Sequence, residues 1–339
     1  MTPLEKIIIE MIETEGPMPL DRYMGLCLGH PQHGYYMTRD PFGAAGDFTT
    51  SPEISQVFGE MLGVWCVNAW MSLGSPSPFT LVELGPGRGT LMADVLRAAK
   101  ASTEFMLAVE VHMVEMSPVL QKLQREKLDA HVTWHSSIDM LPNMPTLYVA
   151  NEFFDALPVK QFEIRGDQTY ERYVGVSGRK LKMGLVPSPP REGADGIYEA
   201  SPISQIIAGE ISERIEACGG AALIIDYGHV QSAAGDTLQA MRKHEFCSIF
   251  DAPGEVDITA HVDFAKLSSA PTMSQGKFLK AMGIEMRTEK LAIKLKGEAR
   301  DNFLAATRRL IEPTQMGELF KAMCVVQKGA PQIYPFEAR

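Results

Sequence analysis

The stretch Glu83-Leu84-Gly85-Pro86-Gly87-Arg88-Gly89-Thr90 constrains this chain more than any other. It closes an apolar run, FTLVEL, and opens a helical one, LMADVLRAAK. Glycines set directly between a strand and a helix let the backbone come close to a bound nucleotide, and the helix N-terminus offers free N–H groups. The alternation then repeats. AVEVHMVEMSP predicts a second strand, followed by a helix with Leu120, Leu123 and Leu128 on one face. HVTWHS predicts a third strand, TLYVANEFF a fourth and AALIIDYGH a fifth. Strands alternating with helices of about ten residues imply βαβ units and a parallel sheet covered on both faces.

Around this sheet the pattern changes twice. Residues 1–78 predict a helical extension with a loop rich in Gly, Pro and aromatics, GHPQHGYYMTRDPFGAAGDFTTSPE. Thr50 or Ser51 is expected to cap a helix running to Met71, with Pro52 and Glu53 in its first turn. Residues 79–339 form the α/β domain, with insertions expected at about 159–200 and 229–283. In the first, QFEIRGDQTYERYVGVSGRKLKMGLV alternates apolar and polar residues around Gly-containing turns, which predicts hairpins. A helix is expected over 201–217. The tail predicts a helix over 273–282, a strand over 285–291, a helix over 297–310 and a last strand, KAMCVVQKG. A final hairpin-like pair after five alternating strands suits the seven-stranded, mostly parallel, Rossmann-like sheet of class I methyltransferases.

Composition narrows the function. A formal charge of −10 argues against nucleic acid, whose phosphates call for a basic field. The most apolar stretch, residues 61–71, is short of the roughly 20 residues that span a bilayer, so no membrane insertion is expected. MTPLEKIIIEMIETEG reads as an amphipathic helix, unlike a secretory leader or an Arg-rich transit peptide. Five scattered cysteines without a CxxC pair point to reduced thiols and a bacterial cytoplasm. His30 and His33 have no third ligand in sight, and no metal is expected.

The nucleotide type follows from the glycine spacing. In the dinucleotide fingerprint G-x-G-x-x-G the third glycine would stand at residue 90, where this chain has Thr90; its third glycine is Gly89. G-x-G-x-G behind an acid suits S-adenosyl-L-methionine, because Glu83 can receive the cationic methionine end. Gly85, Gly87 and Gly89 then form the cofactor turn. Glu115 stands at the tip of the second strand, where a carboxylate accepts both ribose hydroxyls, 30 residues after Gly85. Ser137 and Ile138, beside Asp139, border the adenine, or Ser136 and Ser137 cap a turn. The alternative for the whole set is a glycine turn with no ligand and solvated acids.

Ligands of open α/β sheets sit beyond the carboxyl ends of the strands, at the point where strand order reverses. The segment Asn151-Glu152-Phe153-Phe154-Asp155 follows the fourth strand there. Asn151 is assigned to the cofactor side. Glu152 and Asp155 are expected to pair with a cationic substrate group, with Phe153 or Phe154 as a wall; the alternative buries both rings as core. Asp226, ending the fifth strand, is a third candidate on the substrate side. Residues 46–53, GDFTTSPE, are expected to fold over the cofactor.

Together these segments resemble one family, the MidA-like methyltransferases. The resemblance rests on LCLGHPQHGYYMTRDPFGAAGDFTTSPEISQVFGE, LVELGPGRGTLMADVLR, VEMSPVLQKLQ, NEFFDALPVKQF, IDYGH and DITAHVDF, spread over most of the chain as far as residue 264. It implies a class I methyltransferase fold and S-adenosyl-L-methionine as methyl donor, and it carries the cofactor role onto Gly85, Gly87 and Glu115. Mitochondrial members of the family dimethylate an arginine of a respiratory complex I core subunit, so the resemblance implies a protein arginine as substrate. Two alternatives remain open from the sequence: a non-catalytic complex I assembly factor with the same fold, and a nicotinamide-dependent oxidoreductase.

Overall fold

A computed structural model of the chain describes residues 1–41 and 49–336. Among the described residues eight strands form the central sheet: β1 (Phe79–Leu84), β2 (Val109–Val114), β3 (Val132–His135), β4 (Thr146–Asn151), β5 (Gly220–His229), β6 (Thr272–Ser274) and β7 (Phe320–Val326) lie side by side, and the short Val262–Asp263 pairs parallel with the end of β5. Their order across the sheet is β3-β2-β1-β4-β5-β7-β6. The four pairings among β1 to β5 are parallel, as the alternation predicts. β7 runs antiparallel to both β5 and β6. The sheet is therefore the expected mostly parallel one, with its order reversing between β1 and β4.

Side chains alternate across a strand, so each strand splits its residues between two cores. Leu81, Met113, Val149, Leu223 and Ile225 face one core, shared with α3 (Gln56–Ser72) and α4 (Thr90–Ala99). Val82, Leu84, Tyr148, Ala150 and Ile224 face the other, shared with Ile211 and Ile215 of α6 (Pro202–Cys218). Between α4 and α6 in the chain comes α5 (Pro118–Lys127), capped by Ser117. A third core joins α1 (Pro3–Glu15) and α2 (Leu20–Gly29), at the start of the chain, to Val174, Val256 and Ile258 of the insertions.

The first insertion is the expected set of hairpins. Lys160–Arg165, Gln168–Ser177, Lys180–Ser188 and Gly196–Ala200 pair antiparallel, and Met18–Pro19 adds to their edge. The second insertion holds a small antiparallel sheet of Gln239–Arg242, Glu245–Cys247 and Asp257–Thr259.

Three expectations are corrected. Residues 285–291 are not a strand: Ile284–Ala292 is a helix, with Ile284, Thr288 and Ala292 buried at intervals of four residues. The sixth strand is Thr272–Ser274 instead, and the helix expected over 273–282 begins after it, at Gln275–Ala281. The helix expected from residue 52 to Met71 is interrupted. Ser51–Ile54 makes one turn, Ser55 is extended, and the Ser55 hydroxyl accepts the N–H of Val57 to start α3.

Candidate functional site

The alternation that splits the core also sorts the candidate site residues. Glu83 continues the face of Leu81, Glu115 that of Met113, and Asn151 that of Val149. These three polar side chains stand together at the carboxyl ends of adjacent strands β2, β1 and β4. Asp226 follows Ile224 and lies on the opposite face.

The glycine turn between β1 and α4 is left-handed at all three glycines, with φ of 61° at Gly85, 52° at Gly87 and 77° at Gly89. At Gly85 there is also no space: a Cβ would stand 2.8 Å from Cδ2 of Phe153. The turn thus has a bare backbone for a reason of local geometry, and Phe153 forms its wall. Phe154 is 3% exposed and belongs to the core beside α6. Phe153 is half-buried against the same core.

Glu83 is buried, and its Oε2 has no hydrogen-bond partner among the described residues. Burial pushes its carboxyl well above the usual range; the Met92 N–H opposes this, and Glu115 and Asp94 add to it. Asn151 donates Nδ2 to Glu152 Oε1 at 3.0 Å, and its buried Oδ1 has no partner among the described residues. A carboxylate oxygen and an amide oxygen, both unpaired on one face, ask for a cationic donor. The methionine ammonium of S-adenosyl-L-methionine fits that requirement. Glu115 receives the Ser117 N–H at 2.7 Å and Gln124 Nε2 at 3.1 Å. Burial pushes it up to about 7. Ile138 is buried in the core with Val114 and Leu141, and Ser137 is the extended residue before it.

Beyond β4 the chain turns sharply. Glu152 has φ of 51°, a left-handed conformation unusual outside glycine. The twist aims its carboxylate at the N-terminal segment, where Oε1 accepts the N–H of Ser51 at 2.8 Å as well as the Asn151 amide. Burial pushes Glu152 up to about 7. The same segment reaches the glycine turn. Glu53 accepts the Thr90 hydroxyl at 2.5 Å, and Arg88 pairs with Asp40 at 2.8 Å. Of the expected cover, Gly46, Asp47 and Phe48 lie outside the described residues.

Asp155 is the acid left open. Burial pushes it up to about 6, opposed by the Tyr227 hydroxyl beside it, and its Oδ1 has no partner among the described residues. Asp226 differs. One of its oxygens accepts the N–H groups of Phe154 and Asp155 at 3.0 and 3.2 Å, and the other accepts the N–H of Tyr227 at 2.9 Å. It ties the loop after β4 to the end of β5.

Three residues that the sequence reading did not assign, Tyr36, Asp257 and His261, complete the neighbourhood. Tyr36 donates its hydroxyl to Asp257 at 2.8 Å, and Tyr227 stacks edge-on against His261 at 5.4 Å. Ala260 N–H donates to the Asp155 carbonyl at 3.0 Å, which brings the strand Asp257–Thr259 beside the open acid. Asp257 stands in the quoted segment DITAHVDF, but only the fold shows what it faces.

The model of an S-adenosyl-L-methionine-dependent methyltransferase family matches residues 61–282. The chain is 37% identical to the mitochondrial protein arginine methyltransferase NDUFAF7 of Mus musculus, over 94% of this chain and 83% of that protein. It is 34% identical to its Homo sapiens counterpart, over 99% and 88%. Among solved structures, a Burkholderia thailandensis protein bound to S-adenosyl-homocysteine superposes with a TM-score of 0.84 at 26% identity, covering 97% of this chain and 92% of that one. The chain belongs to the S-adenosyl-L-methionine-dependent methyltransferase family, with that molecule as its cofactor.

Proposed function

We propose that this enzyme methylates an arginine side chain of a protein, and that Asp155 is the acid that receives the guanidinium. The observation that carries the reading is the buried Oδ1 of Asp155, without a partner among the described residues, at the switch point of the sheet. The names of the relatives, protein arginine methyltransferases, support it. A guanidinium stays protonated in water, so its recognition calls for an acid held without its own cation. No described ion pair engages Asp155.

In this reading Glu83 and Asn151 hold the methionine end of the cofactor, the turn at Gly85, Gly87 and Gly89 lies along it, and Glu115 takes the ribose. Ser137 and Ile138 border the adenine. The cofactor supplies an electrophilic methyl group on a sulfonium. Asp155 orients the guanidinium nitrogen toward that methyl and accepts the proton released as the new N–C bond forms and the S–C bond breaks. Much of the rate comes from alignment and from exclusion of water. Glu152 and Asp226 act one step back: the first fastens residue 51, the second shapes the loop that carries Asp155.

We read the N-terminal part, residues 1–78, as the cover of the substrate side, because Tyr36 and Ser51 both reach it. The substrate implied by the family resemblance is a respiratory complex I core subunit. A reducing compartment, a bacterial cytoplasm or a mitochondrial matrix, suits the five free cysteines. The test is transfer of labelled methyl to complex I subunits taken from cells that lack this protein, with the site read by mass spectrometry. A methylated arginine, lost with Asp155→Asn, is the expected result. Methylation of another residue type, or binding of the subunit without turnover, overturns the reading.

A further inference from the structure

Gln124 is a fully buried polar side chain on α5, a helix that otherwise presents Arg125 and Lys127 in its last turn. Its Nε2 donates to the Gly87 carbonyl at 2.7 Å and to Glu115 Oε2 at 3.1 Å. Its Oε1 accepts the indole N–H of Trp134 at 2.8 Å. The two ends of an amide have nearly the same shape, so its orientation must be fixed by partners. Here the partners leave one choice. An indole can only donate, and a carbonyl and an ionised carboxylate can only accept. Trp134 is itself held, with the Arg125 guanidinium 4.3 Å from its ring centre.

The three groups joined by this amide belong to three separate elements of the fold. Gly87 lies in the turn after β1, Glu115 at the tip of β2, and Trp134 within β3. Gln124 also packs against the turn directly, since a Cβ on Gly89 would stand 3.4 Å from its Cγ. Glu115 is thus gripped from both sides: Ser117 N–H takes Oε1 and Gln124 takes Oε2. Each carboxylate oxygen has a second lone pair, which stays available to a ligand hydroxyl.

We propose that Gln124 is a positioning residue of the cofactor site, which sets the spacing and orientation of the Glu115 carboxylate relative to the Gly87 carbonyl, with Trp134 locking its amide. Ligating groups hold their geometry only when the layer behind them is itself locked by packing and hydrogen bonds. Here one residue supplies that layer to both halves of the nucleotide site.

The test is calorimetric titration of the full chain with S-adenosyl-homocysteine across pH. Gln124→Met keeps the length and the packing on Gly89 but removes the hydrogen bonds. It should weaken binding about tenfold to a hundredfold, the range for a lost bond to a charged group. The KM for the cofactor should rise while kcat at saturation holds within about twofold. Its affinity should also be lost at a higher pH than in the wild type, because Glu115 has lost a donor that favours its ionised form.

Gln124→Glu gives a second readout that a merely structural role would not move. When protonated it can still donate to Glu115; when ionised it sets two carboxylates against each other. Above about pH 7, where Glu115 is ionised, its affinity should therefore fall as pH rises, a decline the wild type lacks. Trp134→Phe, which frees the amide to turn, should repeat the Gln124→Met effect in smaller degree. Wild-type affinity and pH dependence in Gln124→Met, or the absence of that decline in Gln124→Glu, would overturn the proposal. So would an equal loss of affinity at every pH. If Gln124→Met fails to fold, the other two variants decide alone.

Discussion

The Glu152 carboxylate accepts the backbone N–H of Ser51 at 2.8 Å, across 101 residues of sequence. The bond joins the tip of β4 to the N-terminal segment, and the left-handed backbone of Glu152 is what aims the side chain there. A strained residue persists when its surroundings over-determine it. Glu152 meets that condition through Ser51, Asn151 and the Ile225 carbonyl that receives its own N–H at 2.9 Å.

Glu152, Glu115 and Asp155 should make the cofactor-free protein less stable as pH rises. Their folded pKa values, about 7, about 7 and about 6, lie above their ordinary values of 4.5, 4.5 and 3.8. Between those limits the folded chain binds more protons than the unfolded one, so stability falls as pH increases through the window. Glu152→Gln removes one contribution. Its melting temperature relative to the wild type should rise between about pH 5 and pH 7.5. A difference that stays constant with pH would defeat the assignment.

Cofactor affinity should have the opposite slope. A ribose hydroxyl and an ammonium both prefer ionised acceptors, and burial holds Glu83 and Glu115 toward their neutral forms. Affinity for S-adenosyl-homocysteine should fall as pH drops through about 7, with protons released on binding. Calorimetry in buffers of different ionisation heat measures that release directly. A flat profile would show that neither acid changes charge on binding.

Asp226→Asn should act on stability. An amide presents one acceptor oxygen where the carboxylate serves three N–H groups, so at least one buried donor loses its partner. The cost should be about 1–3 kcal/mol in a denaturant melt, typical of a buried donor left without a partner. Activity should decline with it because the loop carrying Asp155 loosens. A variant with full stability and no turnover would instead place Asp226 in contact with the substrate.

Gly85→Ala combines two penalties that a second substitution can separate. Its φ of 61° disfavours any side chain, and the new Cβ would meet Phe153 at 2.8 Å. Adding Phe153→Ala should recover the steric part and leave about 1–2 kcal/mol from the backbone alone. Thermal melts of the two single variants and the double variant give the split. Absence of any recovery would mean that Phe153 does not fill the space over the turn.

What could be read from the chain was what lies close together along it. The glycine turn, its leading acid and the strands β1 to β5 each occupy fewer than about a dozen residues with a strong period or a fixed spacing. Ile284–Ala292 was misread because IEMRTEKLAI alternates loosely, while its true pattern of Ile284, Thr288 and Ala292 is helical. β6 and the strands of the small sheet are three or four residues long, too short for any period to show. Among site residues, Glu83, Glu115 and Asn151 were visible because strand ends are visible. Asp226 was expected to end the fifth strand, but the strand runs on to His229, and the face of Asp226 depends on counting two residues along a buried strand and on where Phe154 and Asp155 fall. Gln124 carried no local signal at all; its partner Gly87 lies 37 residues earlier.

The third core has a bearing on how the chain comes together. Thr2 donates its hydroxyl to the Pro253 carbonyl at 2.8 Å, and Leu4, Ile8 and Tyr23 bury themselves against Val256 and Ile258. During synthesis the first two helices therefore emerge well ahead of the strands that cover them. Closing so long a loop is slow compared with local helix formation, so nascent chains should expose an apolar helical pair for much of translation. Deleting the first turns would bare the same surface permanently, at the far end of the sequence from the cut.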